Sequence, residues 1–569
     1  MAKTTTKRQA ARDHWRYRRA ARTTMTERFG LMVLVAAGLV SVARLANWWF
    51  RADHVANVVL YGLLSGIFWY GVLRVVLIWI NYLYVRRPER VPAPPGKRVA
   101  IFTTSSPGEP LGMFEKTLEA CSRITYPHTT YLLDDTRDPR FGAAARKWGA
   151  VHLELVGLPG AKAGKVNRAL ALTDEEFVLV LDPDHIPFPN FLDEVLGYFE
   201  DEQVGFVQVS QAYYNQYRSF VARGAAEQTY GFYGPTQMGL FGRNCAVAIG
   251  ANCTFRRAAL ASAGGHGVGL AEDLISAINI HAAGWKSVYN PVVVSRGLVP
   301  EDFGSFCKQQ LKWARGVHEV LFAEVPKLFK QLSFWQKLSY CTIGTYYTAG
   351  FTTLLYLLIP YLYLFFGVLP ARMPFLEFLH HGVPVLVISV LVYLYVQLWM
   401  CHPADERGLH WRGMVLKFAC WPVFFRGFVL SLFDKDIPYI PTAKQAVIGK
   451  ITPFARPLLF HIGFFALVTA YVLLHRRYVV SEATLVMTSE KTWGMLLFAS
   501  IAVVLALASL YAVFESWFMK PADPWDAVDL DKITGPAALA NEQIIGAFDC
   551  HAELVEAALP LLPNCPTVR

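Results

Sequence analysis

The sequence predicts an α/β domain inserted between membrane-spanning α-helices. Of its 569 residues, 54% are apolar and 17% are charged, and the mean hydropathy of +0.30 is high for an ordinary soluble protein. The apolar excess is concentrated before residue 86 and after residue 338. Between these limits, short β-rich runs alternate with helical segments, which predicts a mainly parallel α/β sheet.

Six stretches are long enough to span a membrane, which takes roughly 20 apolar residues. They are 29–50, 56–84, 341–368, 383–401, 457–475 and 493–517. Nine Lys and Arg residues precede the first stretch, within 1–28. A basic flank of this kind predicts a cytoplasmic N-terminus beside a membrane span, and it explains the net charge of +10 better than nucleic-acid binding does. The nine cysteines show no CxxC spacing, which argues against a zinc site or a disulfide framework.

The chain divides into eight segments along its length. Two of the stretches at the domain edges combine apolar and basic residues at helical spacing, which predicts helices at the membrane interface. The segments are a basic cytoplasmic N-terminus (1–28), two spans (29–85), the cytoplasmic α/β domain (86–320), an interfacial helix (321–340), two spans (341–401), an interfacial or re-entrant helix with a loop (402–456), two spans (457–517) and a cytoplasmic tail (518–569).

Within the α/β domain, ligands are expected beyond the carboxyl ends of the strands. The strands are predicted at 98–104, 130–135, 151–156, 177–182, 204–210 and 246–255, with helices at 112–124 and 141–150 between them. Polar clusters follow several of these strands. The sequence therefore predicts a functional site at this edge of the sheet.

The stretch "FVLVLDPDHIPF" (177–188) ends a buried strand in two carboxylates, Asp182 and Asp184. Hard oxygen ligands one residue apart suit Mg²⁺ or Mn²⁺, which bind one or two carboxylates together with substrate phosphates. A solvated Asp-Pro turn is the alternative. The similar clusters at other strand ends favour the metal site.

Acidic pairs and cations occupy the other strand and helix ends. Asp134 and Asp135 could accept hydrogen bonds from a base or ribose, or form a turn. Glu272 and Asp273 follow a nearly uncharged, glycine-rich run, where a carboxylate can act as a general base or simply begin a helix.

Two basic stretches complete the set. "LPGAKAGKVNRAL" carries Lys162 before a helix, where phosphate binding and a plain surface loop are both open. "CKQQLKWARGV" combines cations that can hold a diphosphate with an indole that can support a sugar ring, although an amphipathic helix explains it equally. Its candidates are Gln309, Lys312, Trp313 and Arg315.

The order of these motifs resembles the processive family-2 glycosyltransferases, nearest to bacterial cellulose synthase catalytic subunits and to curdlan and mixed-linkage glucan synthases. The resemblance covers about residues 95–460. It includes "TTSSPGEP" after the first strand, "FRRAAL", "HAAGWKSVY" after the Glu-Asp pair, and "YIPTAK" (439–444), which is similar to the family's gating loop. It implies a GT-A domain with a Rossmann-like mixed sheet.

This resemblance also implies roles for individual residues. Asp182 and Asp184 would hold Mg²⁺ or Mn²⁺, and Asp273, beside Glu272, would deprotonate the acceptor hydroxyl in an inverting displacement. The implied acceptor contacts are Trp313, Gly250 and Asn252. The implied UDP contacts are Thr103, Glu109, Asp134, Asp135, Lys162, Gln309, Lys312, Arg315, Thr442 and Lys444.

Three positions depart from the family pattern. Ala271 replaces the Thr before Glu-Asp, Lys312 replaces the Arg of Gln-x-x-Arg-Trp, and "IGAN" (249–252) replaces Phe-Cys-Gly-Ser. Lysine supplies a point charge where arginine offers a planar, bidentate donor. We therefore expect an ordinary UDP-sugar donor, most simply UDP-glucose, with an acceptor geometry or linkage that differs from that of cellulose.

Other functions stay open. They are a hyaluronan-, chitin- or mannan-type synthase, a non-processive lipid-carrier glycosyltransferase, and a pure transporter. The expected partners are the UDP-sugar, the growing polysaccharide, membrane lipid and a periplasmic export protein. We expect neither nucleic acid nor an attached cyclic di-GMP (PilZ) domain. Trp69 and Arg74 could line a sugar channel, although Arg74 could equally snorkel or pair between helices.

Overall fold

A computed structural model of the protein describes residues 23–435, 437, 443–478, 482–520 and 522–531. The helices alternate with strands through the first half of the chain and follow one another through the second half. In chain order they are α1 Met25–Trp49, α2 Val58–Leu83, α3 Leu111–Ser122, α4 Pro139–Lys147, α5 Ala161–Leu172, α6 Phe220–Gly231, α7 Gln237–Phe241, α8 Arg257–Ser262, α9 Glu272–Ala282, α10 Phe303–Glu319, α11 Val325–Leu328, α12 Phe334–Gly344, α13 Ala349–Phe366, α14 Phe375–Tyr395, α15 Pro403–Glu406, α16 Trp411–Ala419, α17 Trp421–Leu432, α18 Arg456–Tyr478 and α19 Glu482–Phe514.

The strands form a seven-stranded sheet and a small three-stranded sheet. They are β1 Val99–Thr104, β2 Thr129–Asp134, β3 Val151–Glu154, β4 Phe177–Leu181, β5 Ile186–Pro187, β6 Val204–Val209, β7 Ala212–Tyr213, β8 Cys253–Arg256, β9 Lys286–Asn290 and β10 Ser295–Gly297. The large sheet has the order β3-β2-β1-β4-β8-β6-β9, and the small one has the order β5-β10-β7. In the large sheet, β8 runs antiparallel to β4 and β6 while the other pairings are parallel, so this sheet is mixed.

The strand predicted over 246–255 is wrong in its first part, because only Cys253–Arg256 is extended. Gly250 and Asn252 have positive φ angles of 68° and 67°, which no β-strand allows. The pairs and triplets of residues in β5, β7 and β10 were not predicted, since strands this short show no alternation of apolar and polar residues.

The register of the large sheet brings the polar clusters to one edge. Every residue of β1 and β4 is buried, as in strands covered on both faces. Thr103 of β1 pairs with Leu181, the last residue of β4, and Thr104 pairs with Leu133 of β2. Because β8 is antiparallel, it begins where its neighbours end. The loop 249–252 therefore lies at the same edge as the segments that follow β1, β2 and β4.

Six helices in the described part of the chain are long and apolar enough to cross a membrane, which confirms the predicted number. They are Met25–Trp49, Val58–Leu83, Phe334–Phe366, Phe375–Trp399, Pro453–Leu474 and Thr492–Trp517. The bent pair of α16 and α17, which meet at 50°, would make a seventh if it formed one span. Pro422 lies in the first turn of α17, where a proline is tolerated and the preceding helix ends.

The segment 321–340 is not one continuous helix. Its first part continues α10 through a π-helical turn into α11, and α12 begins separately at Phe334. Ser333 caps α12, because its hydroxyl accepts from the Gln336 N–H while the Gln336 side chain binds the Ser333 backbone. The candidate third span consequently begins at Phe334 and includes α12.

The described part of the C-terminal tail returns to the α/β domain. Trp525 is 3% exposed and packs in a cluster with Phe114 of α3. The Lys116 side chain donates to the Val528 carbonyl at 3.3 Å, and Arg123 forms an ion pair with Asp531 at 2.7 Å. The tail is therefore held against α3.

Candidate active site

The two carboxylates after β4 form an acidic cluster with the next residue. Ligand atoms of Asp182, Asp184 and His185 lie within 4.8 Å of one another. The turn that presents them is held at both ends, because the His185 N–H donates to the Asp182 carbonyl at 3.0 Å and the Thr117 hydroxyl donates to the Pro183 carbonyl at 2.6 Å. Two carboxylates with an adjacent imidazole fit a divalent cation such as Mg²⁺ or Mn²⁺.

Each of these carboxylates is paired with a lysine, of which Lys162 is buried and Lys444 is partly buried. Lys162 Nζ lies 2.7 Å from Asp182 Oδ1, and Lys444 Nζ lies 2.8 Å from Asp184 Oδ2. Burial alone would lower the pKa of both lysines, but the surrounding carboxylates outweigh it and raise both pKa values. Burial likewise opposes ionisation of Asp184, yet Lys444 and His185 hold its pKa well below the ordinary value. Asp184 is thus held in its ionised form.

Glu272 and Asp273 begin α9 and are 6% and 8% exposed. Burial and the neighbouring Asp273 charge raise the pKa of Glu272. Burial acts on Asp273 as well, but Lys162, then His266 and the Gly250 backbone, lower the pKa of Asp273 below its ordinary value. Two adjacent carboxylates whose pKa values are pushed apart suit different roles, and the ionised Asp273 suits that of a base.

Lys162 lies between the acidic cluster and the adjacent carboxylates Glu272 and Asp273. Its ammonium, which bonds to Asp182, also lies 4.0 Å from Glu272 Oε1. Lys162 is held in the first turn of α5, which begins after Gly160 in a left-handed conformation at φ 87°. The sequence predicts that Lys162 contacts the nucleotide, and in the structure it lies between the carboxylates of Asp182 and Glu272.

Of the two predicted acceptor contacts in the loop 249–252, only Gly250 lies beside Asp273. The Gly250 backbone faces the Asp273 carboxylate, and Gln211 secures the loop by donating to the Ile249 carbonyl at 2.8 Å. Asn252 is fully buried, and its amide has no hydrogen-bond partner among the described residues. Its side chain therefore lies beneath the site rather than on its surface.

Helix α10 presents its motif residues in different directions. Lys312 lies near Glu272, whose charge opposes the lowering of the Lys312 pKa by burial. The Trp313 side chain is 38% exposed, and Gln309 is half-buried. Arg315 is 4% exposed and donates to Asp434 Oδ1 at 3.0 Å and to the Lys435 carbonyl at 3.1 Å.

Besides its predicted contact with UDP, Arg315 anchors the segment after α17. Its guanidinium holds the segment that leads from α17 into the loop containing Lys444. The same loop is attached to the tail, because Gln445 donates to Asp523 Oδ1 at 2.6 Å. Thr442 of this loop lies outside the described residues.

The segments after β1 and β2 form the other end of the site. Asp134 is 2% exposed and accepts from the Ser105 hydroxyl at 2.6 Å and from the Thr136 N–H at 2.9 Å, with His152 Nε2 at 2.8 Å. Its neighbour Asp135 is more open, with a side chain 25% exposed. Asp134 therefore shapes the loop, and Asp135 is the more accessible of the two.

Other predicted nucleotide contacts near this end differ in accessibility. Thr103 is fully buried, and its hydroxyl has no hydrogen-bond partner in the described part of the chain. Glu109 accepts from the Ser106 N–H at 2.9 Å, and burial raises its pKa to about 6 despite nearby Lys444. Lys165, on the same helix as Lys162, donates to the Ser105 carbonyl at 2.5 Å.

Strand ends alone do not reveal two further residues of the site, His152 and His266. His152 lies on the edge strand β3 opposite Leu132, so its position beside Asp134 follows from the register. His266 approaches Asp273 from a loop. Only "GGHGVG", a flexible-looking run with one imidazole, signalled it.

The proposed channel residues lie on α2. Arg74 donates to the Thr342 carbonyl at 2.9 Å and to the Thr345 hydroxyl at 2.5 Å, which is the interhelical pairing left open by the sequence. Trp69 stacks on Phe50 with ring centroids 5.4 Å apart. Both residues thus contribute to helix packing at these positions.

Known proteins resemble this chain in sequence. Residues 177–400 match the family described as Glycosyl transferase family group 2. The chain is 27% identical over 359 residues to cellulose synthase 1 of Komagataeibacter xylinus, covering 60% of this chain and 23% of that protein. It is 28% identical over 268 residues to the cellulose synthase catalytic subunit of Pseudomonas fluorescens, covering 46% of this chain and 36% of that protein. The aligned part therefore spans well under two thirds of the length of these relatives.

A solved structure is also similar. It is a mannosyltransferase from Pyrobaculum calidifontis in complex with GDP-mannose and Mn²⁺, at a TM-score of 0.45 and 17% identity, covering 66% of this chain and 99% of that one. With the family match over 177–400 and the mixed sheet between membrane-length helices, the predicted fold class is confirmed. The protein is therefore a membrane-bound transferase with a GT-A-like mixed sheet, and its sequence resembles family-2 glycosyltransferases over residues 177–400 and bacterial cellulose synthase catalytic subunits over about 60% of its length.

Proposed function

We propose that the chain is a processive, inverting β-glycosyltransferase that polymerises a sugar from a UDP-sugar and moves the polysaccharide across the bacterial inner membrane. UDP-glucose, which would give a β-glucan, is the simplest donor. The observation that carries the proposal is the buried cluster in which Lys162 bonds to Asp182 and reaches Glu272, beside Asp273. It joins a site for a diphosphate-bound cation to a base.

The chemistry follows from the two ends of this cluster. Asp273, ionised at neutral pH, accepts the proton of the acceptor hydroxyl while that oxygen attacks the anomeric carbon and the bond to the diphosphate breaks. The configuration inverts in this single displacement, and UDP leaves. Asp182 and Asp184 would hold a divalent cation, which would stabilise the negative charge of the departing diphosphate. The ammonium groups of Lys162 and Lys312 add to that stabilisation.

Retention of the growing chain is supported by α10 and the membrane helices. The partly exposed Trp313 indole follows Lys312 and offers a flat apolar face on which the terminal sugar can stack. The six membrane-length helices flank the α/β domain in sequence and offer a route for the polymer. The basic N-terminal flank supports a cytoplasmic site, where the donor is available.

Full-length protein reconstituted into lipid vesicles tests the activity. Radiolabelled UDP-glucose, UDP-N-acetylglucosamine and GDP-mannose are supplied with Mg²⁺ or Mn²⁺, and the product is sized on a gel. We expect a long polymer from one UDP-sugar and none from the Asp273→Asn variant, which still binds UDP. Transfer of a single sugar to lipid would contradict processivity and favour the lipid-carrier enzyme.

Translocation has a separate test in the same vesicles. Protein molecules with the α/β domain outside are selected by adding donor only to the outer solution, and a glycoside hydrolase is added after synthesis. We expect the labelled polymer to be protected inside the vesicles until detergent is added. Complete digestion without detergent would contradict transport and leave the polymerase activity in place.

A further inference from the structure

His266 lies opposite the base Asp273 in the loop between α8 and α9. Its ring is fully buried, and its Nε2 lies 3.7 Å from Asp273 Oδ1. Phe255 packs against the ring edge to face, with centroids 5.8 Å apart. The imidazole is therefore enclosed by protein and directed at one carboxylate oxygen.

The facing atoms are without hydrogen-bond partners among the described residues. This is true of both ring nitrogens of His266 and of Asp273 Oδ1. A buried polar atom left unpaired costs about 1–3 kcal/mol. A separation of 3.7 Å is too long for a hydrogen bond, but a shift of about 1 Å would give a normal N–H···O distance. That small movement would satisfy both groups.

The loop that carries His266 is fixed at two points. The Asn167 side chain of α5 forms two hydrogen bonds with the His266 backbone. It accepts from the His266 N–H at 2.7 Å and donates to the His266 carbonyl at 2.8 Å. The next N–H, that of Gly267, donates to the Ser276 hydroxyl of α9 at 2.8 Å. Gly265 allows this approach, since at φ 100° an added Cβ would lie 2.6 Å from Asn167 Oδ1. His266 is thus anchored to the helices that carry Lys162 and Asp273.

We propose that His266 is the positioning residue of the base. Its Nε2–H binds Asp273 Oδ1, so that Oδ2 faces the acceptor hydroxyl and receives the proton. Neither ring nitrogen is committed elsewhere among the described residues, so the tautomer with the proton on Nε2 can form. The inference rests on the proposed function, because it assigns His266 a part in acceptor activation.

The electrostatic surroundings support this role. The groups that act on Asp273 are Lys162 from α5, the neighbouring Glu272, His266 from the loop, and Lys312 from α10. Lys162 and His266 both favour the ionised form of Asp273. A lysine supplies charge without direction, whereas an imidazole N–H selects one of the two carboxylate oxygens. Orientation of the base therefore depends on His266.

Two substitutions at the same position separate positioning from packing. His266→Leu removes the ring nitrogens while filling the apolar space, and His266→Gln keeps an amide N–H near the position of Nε2. In reconstituted full-length protein with UDP-glucose, we expect His266→Leu to lower kcat about 10- to 100-fold, part of the ~10²–10⁴-fold that a general base contributes. The KM for UDP-glucose and the Kd for UDP should stay within about threefold. His266→Gln should restore most of kcat.

The same variants in an Asp273→Asn background give the control. His266→Leu should add no further loss there if it acts through Asp273. Wild-type kcat in His266→Leu would overturn the inference. So would equal losses in the Leu and Gln variants accompanied by a weaker Kd for UDP and a lower Tm, since these indicate a structural role.

An infrared measurement judges the contact without enzymatic turnover. The carboxylate band of Asp273, assigned by difference from Asp273→Asn, should shift in His266→Leu and not in His266→Gln. An unchanged band in both would overturn the inference whatever the activity. If the band shifts in His266→Leu but the wild-type protein transfers no sugar, the result would contradict the proposed function and support the contact between His266 and Asp273.

Discussion

At the scale of single residues, the adjacent carboxylates Glu272 and Asp273 have different surroundings. The sequence does not show this difference. Glu272 and Asp273 are buried alike, but His266 and the Gly250 backbone act on Asp273 and lower its pKa, whereas the pKa of Glu272 is raised. A carboxylate must be ionised to accept a proton, and burial together with the Asp273 charge disfavours the ionised form of Glu272. We therefore propose Asp273 as the base.

Matched substitutions of the pair check this assignment. Asp273→Asn should lower the initial rate of polymer synthesis by about 10²–10⁴-fold, because the acceptor proton then has no base. Glu272→Gln should lower it by about tenfold or less, since it keeps the size and hydrogen bonds of the side chain. Initial rates at saturating donor measure both. Equal losses in the two variants would contradict the distinction.

At the scale of elements, the loop after α17 reaches back across the chain to the end of β4. Lys444 bonds to Asp184, and Arg315 on α10 holds the start of the same segment at Asp434. A lysine that neutralises a metal-binding carboxylate competes with the metal for it. We therefore expect the loop and a bound cation to be alternative partners of Asp184.

Removing the competing lysine should strengthen binding of the metal alone. We expect Lys444→Gln to lower the Kd for Mn²⁺ in the absence of nucleotide by several-fold, measured by electron paramagnetic resonance of free Mn²⁺. In the presence of UDP the gain should shrink, because Lys444 then has the diphosphate as a partner. Lys417, which lies over the Tyr346 ring, provides a matched control in Lys417→Gln. A weaker or unchanged affinity for Mn²⁺ would contradict the competition.

Helix α9 is also connected to its neighbours by a buried histidine. His281 lies 2.8 Å from the Tyr340 hydroxyl of α12 and 2.9 Å from the Ser287 hydroxyl of β9. Burial lowers the pKa of His281 to about 3, so the ring is neutral in the folded protein. The unfolded chain, with a pKa near the ordinary value of about 6.5, binds the extra proton.

Stability should therefore depend on pH through this residue. The contribution is fully present above about pH 6.5 and is lost progressively as the pH falls toward 3, because the unfolded state binds more protons there. We expect the Tm of detergent-solubilised protein to fall between pH 7 and pH 5, and the fall to be smaller in His281→Gln. The same pH dependence in both proteins would show that other groups are responsible.

At the scale of the whole molecule, the departures from the family pattern gather near the base rather than near the acidic cluster. Ala271 precedes Glu272, Lys312 lies near Glu272, and the loop 249–252 faces Asp273 through Gly250. The carboxylates after β2 and β4 follow the pattern. The donor end is therefore expected to be ordinary, and the acceptor end is expected to decide the product.

Linkage analysis checks that expectation. Product made in vitro from UDP-glucose should contain linkages other than β-1,4, because the acceptor hydroxyl that Asp273 reaches depends on how the altered residues orient the terminal sugar. Methylation analysis of the purified polymer identifies the linked positions. A purely β-1,4 glucan would contradict the expectation and leave the assignment of the donor intact.

The sequence by itself determined the elements that local patterns encode. Continuous apolar runs such as Phe177–Leu181 mark buried strands, stretches of about 20 apolar residues mark spans, and Asp182 and Asp184 follow directly from a strand end. The strand wrongly extended through 246–252 shows the limit, because apolar composition does not report the positive φ angles of Gly250 and Asn252.

Only the tertiary structure decided which of these residues meet. Lys162 lies between Asp182 and Glu272, Arg315 binds the start of a loop more than a hundred positions away, and His266 faces Asp273 from a loop that Asn167 holds. Such contacts depend on the register of the mixed sheet and on the path of irregular loops. Neither has a periodicity along the chain, so proximity across the sheet edge is a property of the packed molecule alone.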